Sequence, residues 1–139
     1  AVEQVVRLAP DRVTGHVGQG PWNHLVEESP DGSLVVNATG MGKDRPGSPV
    51  TDDVRFPDGA VAWELNYRGD LRFLHQARRQ AEQSHLHVDD GWQLFCHGWA
   101  AALSVVLGLP DDQELGEHLA DAARPIRPGG WQTRPGGRA

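Results

Sequence analysis

The chain has 139 residues, 38% of them hydrophobic, and a formal net charge of −6, enough for one domain with its own core. An acidic balance without an extended Lys/Arg cluster argues against a nucleic-acid partner, and no run approaches the roughly 20 apolar residues of a membrane span. With no signal-peptide pattern, and a single cysteine, Cys96, that can form no internal disulfide, the expectation is a soluble cytoplasmic protein.

Val2, Val5, Val6 and Leu8 follow helical spacing over residues 2–9, as though the chain opened within a helix, and Pro10 closes it. Val13–Val17 predicts a short strand. Gly18 and Gly20 supply a turn, and Pro21 suits the first position of a short helix that buries Trp22, Leu25 and Val26. Ser29-Pro30-Asp31-Gly32 is a turn signal ahead of strand Leu34–Asn37. The loop 38–50 is long, and long ordered loops are often functional. Thr51-Asp52-Asp53 predicts a capped helical turn ending near Phe56, and Pro57-Asp58-Gly59 another turn. Ala60–Tyr67 reads as a strand with Val61, Trp63 and Leu65 on one face.

Asp70 is the predicted N-cap of the next helix, whose apolar face is Leu71, Leu74, Ala77 and Ala81. A short strand follows at Leu86–Val88. The longest helix runs from Gly91 to Leu107, with Trp92, Phe95, Trp99, Leu103 and Val106 as a core stripe. Gly108 and Pro110 end it, and residues 111–123 form one more helix. From Arg124 onward there is no apolar period, which predicts a disordered tail over 124–139. Strands alternating with helices imply a parallel α/β sheet with crossover helices on its faces, in one domain over residues 1–123.

Three short motifs stand where these elements meet. Asn37-Ala38-Thr39-Gly40-Met41-Gly42 ends a buried strand with small polar residues and glycines. In an open parallel sheet the carboxyl ends of strands are where ligands bind; the alternative is a plain turn. Glu64-Leu65-Asn66-Tyr67 ends the next strand, and Asp90-Gly91 opens the long helix. In this order and spacing, residues 33 to 110 resemble the C-terminal, nucleotide-binding part of the shikimate/quinate dehydrogenase family.

The resemblance implies a partial Rossmann-type parallel sheet with flanking helices and a long C-terminal helix. It further implies an oxidoreductase transferring a hydride between NADP or NAD and a cyclic hydroxy or keto acid. Asn37, Ala38, Thr39, Leu65, Gly91 and Leu94 would border the cofactor, and Tyr67 would reach the substrate. The family's catalytic lysine–aspartate pair belongs to a separate substrate domain, so no catalytic residue is assigned in this chain, which would be an inactive fragment by itself. The chain also departs from the family. Gly98 stands where the family places a substrate-binding glutamine, which leaves the substrate's identity open, and no Gly-rich phosphate turn occurs in the right context. The competing reading is a non-catalytic Rossmann-like module that binds a nucleotide or a partner.

Other residues carry weaker signals. Lys43 lies where the family's catalytic lysine does not, and reads as an exposed loop residue. His85 and His87 alternate and could face a metal with Asp89 or His75, but paired surface histidines are commoner, and no metal is assigned. Glu64 could be a general base, although such a carboxylate more often accepts backbone hydrogen bonds. Ser48 and Ser104 lack the His/Asp partners of a nucleophile.

Overall fold

The computed structural model describes residues 12–109 and 113–128. The helical pattern at 2–9 and the last part of the predicted tail, 129–139, lie outside the described residues. Among the described residues, four helices and three strands follow in chain order: α1 (Asn23–Glu27), β1 (Leu34–Asn37), β2 (Val61–Glu64), α2 (Arg72–Gln80), β3 (His87–Asp89), α3 (Trp92–Leu107) and α4 (Gln113–Ala123). A short 3-10 turn, Arg124–Ile126, closes the described chain.

The three strands form one parallel sheet in the order β1-β2-β3. Leu34 lies opposite Val61 and Asn37 opposite Glu64, while Val61 pairs with His87 on the other side. The fold is a small α/β domain, broadly Rossmann-like. One connection follows the expected pattern: β2 crosses to β3 through α2.

The β1–β2 connection, residues 38–60, contains no helix. Thr51 to Val54 close a single hydrogen-bonded turn where one capped helical turn ending near Phe56 was expected. This loop nevertheless does what a crossover helix would, since Val50, Val54 and Phe56 enter a core with Phe73 and Ala77 of α2. Its backbone groups find partners on α2. Gln76 Nε2 donates to the Val50 carbonyl (3.2 Å), Gln80 Nε2 to that of Val54 (2.8 Å), and Phe56 N–H to Gln80 Oε1 (3.2 Å). Two glutamines on successive turns therefore satisfy an irregular segment that would otherwise bury unpaired polar groups. Asp52 adds an outer clasp: Arg72, Gln76 and Arg79 all donate to its carboxylate, holding its pKa down at about 2.

Several sequence expectations are corrected. Residues 13–17 form no strand; Val17 is 83% exposed, with no strand beside it among the described residues. Pro21 and Trp22 precede α1 instead of opening it. On β2 the wholly buried side chains are Ala62 and Glu64, while Val61 and Trp63 are half-buried. The predicted α3 stripe is rotated. Its buried residues are Trp92, Cys96, Ala100 and Ser104, whereas Trp99 and Val106 are 54% and 77% exposed. Trp92 and Cys96 of this buried face pack with Ala120 of α4, while beside them Gly116 sits so near His97 that an added Cβ would lie 2.0 Å from its ring.

The predicted cap of α2 is also replaced. Leu71, not Asp70, precedes the helix, in the left-handed region at φ 45°. That conformation is costly for a branched residue, and its surroundings impose it. The Leu71 side chain is buried, its N–H donates to the Gly42 carbonyl (3.0 Å), and Gly69 is pressed against the same carbonyl. At the described start of the predicted tail, Arg127 pairs with Asp90 at 2.6 Å. Among the described residues, no helix is long and apolar enough to cross a membrane.

Candidate functional site

The three motifs converge at the carboxyl ends of β1 and β2. Asn37 and Glu64, the last residues of the two strands, lie opposite one another in register and are both buried. Asn37 Nδ2 donates to Glu64 Oε2 at 2.6 Å. The other carboxylate oxygen, Oε1, accepts from the backbone N–H of Asn66 (2.9 Å) and from its side-chain amide (2.6 Å). Burial pushes the Glu64 carboxyl above its ordinary pKa, and these N–H donors oppose the rise without cancelling it.

From this centre the network extends into the loop after β1. Asn37 Oδ1 accepts from Thr39 N–H (3.1 Å) and from the Thr39 hydroxyl (2.7 Å), and Thr39 Oγ1 in turn accepts from Met41 N–H (3.2 Å). Asn66 Nδ2 donates to the Met41 carbonyl at 3.2 Å. The Asn-Ala-Thr segment is thus an Asx-type turn fastened to a buried carboxylate. Asn37 is committed on both sides of its amide and acts here by holding the turn. Ala38 and Thr39 stand exposed at its tip.

The second and third motifs lock together through backbone. Leu65 N–H donates to the Asn37 carbonyl (3.1 Å), and Gly91 N–H to that of Asn66 (3.1 Å). Gly91 lies flush against the end of β2: an added Cβ would stand 1.9 Å from the Leu65 carbonyl oxygen. Asp90, 3% exposed, then fastens the onset of α3 by accepting from Trp92 N–H (2.9 Å), while its carbonyl accepts from Trp63 Nε1 (3.1 Å).

Leu94, in the first turn of α3, is 47% exposed. Tyr67 is half-buried in an aromatic cluster, its ring centroid 4.3 Å from Phe95 and 5.7 Å from Trp92. Backbone contacts therefore bring Asn37, Leu65 and Gly91 together, with Ala38 and Thr39 at the turn's tip. Tyr67 and Leu94 follow along the chain, and Tyr67 meets the loop after β1 at Lys43, whose ammonium lies 5.8 Å from its ring centroid.

Sequence reading left two contributors out of the site. Asn66 joins the carboxylate to the Met41 carbonyl, and Glu64, weighed only as a base or a hydrogen-bond acceptor, is the centre of the network. The signal was the two-residue spacing of Glu64 and Asn66, but it acquires meaning only when register sets Asn37 beside them. A general-base role does not suit Glu64, because its oxygens are occupied by fixed donors.

A second feature is a shallow pocket of about 320 Å³ lined by Trp22, Met41, Pro49 and Val50 among others. Of the two alternating histidines, His85 lies in a turn before β3, where it meets Asp58 at 3.1 Å, and His87 lies on the strand. Among the described residues no three metal-ligating side chains gather. Cys96 is buried, which pushes its thiol pKa up and away from nucleophilic character. Compared with known proteins, the chain has no significant match to a family model, a curated protein or a solved structure.

Proposed function

We propose that this chain is a Rossmann-type dinucleotide-binding module that holds NAD or NADP across the carboxyl ends of β1 and β2 and the onset of α3. The observation that carries this reading is the contact of Gly91 with the Leu65 carbonyl. Only a residue without a side chain lets the helix start lie flush with the strand end, and such flush, small-residue rims suit a planar ring approaching a parallel sheet. In this reading the nicotinamide ribose lies against Ala38 and Thr39, and the ring against Gly91 and Leu94. The rigidly fastened turn supports it by presenting those residues in one conformation.

The resemblance to the shikimate/quinate dehydrogenases extends the proposal to an oxidoreductase. A longer parent would transfer a hydride to or from a cyclic hydroxy or keto acid beside Tyr67, with the proton-handling residues supplied from outside this chain. A second reading, a partner-binding module, is favoured by apolar side chains left in solvent: Leu34 (60% exposed) on β1, and Trp99 and Val105 (54% and 86%) on α3.

Titrating the chain with NAD+ and with NADP+, followed by tryptophan fluorescence, tests the proposal. One dinucleotide is expected to give a saturable change. Ala38→Glu, which sets a negative charge at an exposed rim position, is expected to weaken it at least about tenfold. Absence of saturable binding to the folded chain would overturn the nucleotide reading in favour of the partner-binding one.

A further inference from the structure

We propose that α3 is the seam of a homodimer, in which two copies of this chain pack their α3 helices antiparallel about a two-fold axis at Ala102. This names a partner for the partner-binding reading and is independent of the nucleotide reading.

Although 23% of the chain is charged, the 16 residues of α3 include no Asp, Glu, Lys or Arg. A helix that is apolar all round is ordinarily covered all round. Here α4 covers one side: Trp92 and Cys96 pack with Ala120, and Ala100 and Ser104 continue the same buried line. On the opposite side Trp99, Val105 and Val106 are 54%, 86% and 77% exposed, with Gly98 and Ala102 exposed between them. At 3.6 residues per turn these five fall within about 120° of arc, centred on Ala102. They form one continuous patch, not scattered surface side chains. Trp99 is steadied from beneath by the Phe95 ring, centroids 6.3 Å apart.

The order of these residues identifies a second copy as the occupant, because an isologous contact needs a face complementary to itself. Trp99 lies three residues before Ala102 and Val106 four after it, while Gly98 lies four before and Val105 three after. Turned antiparallel about Ala102, Trp99 of each copy meets Val106 of the other. Val105 then enters the notch at Gly98, where nothing lies within 4 Å of an added Cβ. Ala102 meets its own counterpart, and its small side chain lets the helices close to about 8–10 Å. Charge agrees with this choice. Two copies carrying −6 each repel over most of their surfaces, and of the described helices only α3 offers a face free of formal charge. The patch exposes on the order of 500 Å² per chain, so a dimer buries about 1,000 Å², the lower bound for a specific interface. Such a dimer should dissociate on dilution.

Sedimentation velocity of the full chain between about 1 and 200 µM tests this. Wild type is expected to pass from the monomer mass to twice that mass as concentration rises. Val106→Glu and Trp99→Lys, each at an exposed position, should keep the wild-type circular dichroism and raise the dissociation constant at least about tenfold. Mixed in equal amounts, the two variants should recover the dimer. The mixed pair keeps one Trp99–Val106 contact and sets the introduced carboxylate against the introduced ammonium. Should either variant lose its circular dichroism, Ala102→Arg replaces it, with two like charges facing across the axis and the same loss expected. Val17→Glu, at an exposed apolar position outside α3, should dimerise as wild type does. A wild-type monomer throughout, substituted α3 faces that associate as tightly as wild type, a mixture that stays monomeric, or an equal loss in Val17→Glu would overturn the proposal. Titrating the same preparations with NAD+ and NADP+ separates the readings. A dimer that binds neither upholds this inference and refutes the nucleotide reading, and a monomer that binds one does the opposite.

Discussion

The side-chain amide of Asn37 donates to Glu64 across the last in-register pair of β1 and β2, at 2.6 Å, with both residues out of contact with water. Both Glu64 oxygens face N–H donors, and the loop after β1 is hung from that carboxylate through Asn37 and Asn66.

Glu64 makes stability depend on pH in a definite direction. Burial raises its pKa from the ordinary 4.5, so the folded chain binds this proton more tightly than the unfolded chain. Its contribution to stability is complete below the ordinary glutamate range and is lost as pH rises through the raised value. Between about pH 4 and 8, the wild-type urea midpoint is therefore expected to fall relative to that of Glu64→Gln, which has no proton to release. Parallel pH profiles for the two proteins would show that the carboxyl is not shifted.

This network also shows what the sequence could reveal. Strand Leu34–Asn37 and the onset of α3 are local signals: an apolar run ended by a turn, and an Asp-Gly before helical spacing. Both are found where they were expected. The helix-free path of residues 38–60 depends on Gln76 and Gln80 of α2, which lie far along the chain. The rotated stripe on α3 depends on packing with Ala120 of α4, and the start of α2 depends on the Gly42 carbonyl. Each is a tertiary contact overriding a local preference. Glu64 became the centre of the site only through its register with Asn37.

Two glycines near the start and middle of the same stretch are expected to respond oppositely to alanine. At Gly91 the new Cβ would meet the Leu65 carbonyl at 1.9 Å, with only backbone to yield. Gly91→Ala should cost about 1–3 kcal/mol or more, the range for overpacking. Gly98 lies on an exposed face of α3, with nothing within 4 Å of an added Cβ. Gly98→Ala should stabilise by about 0.5–1 kcal/mol, the helix-propensity difference. Urea denaturation of the two variants reads both signs. Stabilisation at Gly91 would refute the close contact there.

Arg127 is expected to be essential to the domain although it lies in a segment with no apolar pattern. Its guanidinium meets Asp90 Oδ2 at 2.6 Å and lies 5.5 Å from the Trp92 ring centroid. Arg127→Met strands a buried carboxylate and should cost about 3 kcal/mol, at the lower end for breaking a buried pair. Ending the chain at Ala123 should do the same. Adding Asp90→Asn to Arg127→Met should recover part of the loss, because asparagine can still accept from Trp92 N–H. Equal stability of wild type and Arg127→Met would show that the pair contributes nothing.

The ring and the hydroxyl of Tyr67 are expected to have separate duties. The ring fills a gap between Phe95, at 4.3 Å, and Trp92, at 5.7 Å, and belongs to the core that α3 shares with α4. Among the described residues nothing hydrogen-bonds the hydroxyl. Tyr67→Phe should therefore leave the urea midpoint within about 0.5 kcal/mol of wild type, whereas Tyr67→Ala should lose about 2–4 kcal/mol of packing. If the hydroxyl serves the ligand, Tyr67→Phe should also weaken binding of a cyclic hydroxy acid by about 0.5–1.5 kcal/mol, one neutral hydrogen bond, and leave dinucleotide affinity unchanged. Stability and ligand binding measured on the same preparation separate the two duties. A Tyr67→Phe chain that melts earlier and binds the acid as before would make the hydroxyl structural and remove Tyr67 from the site.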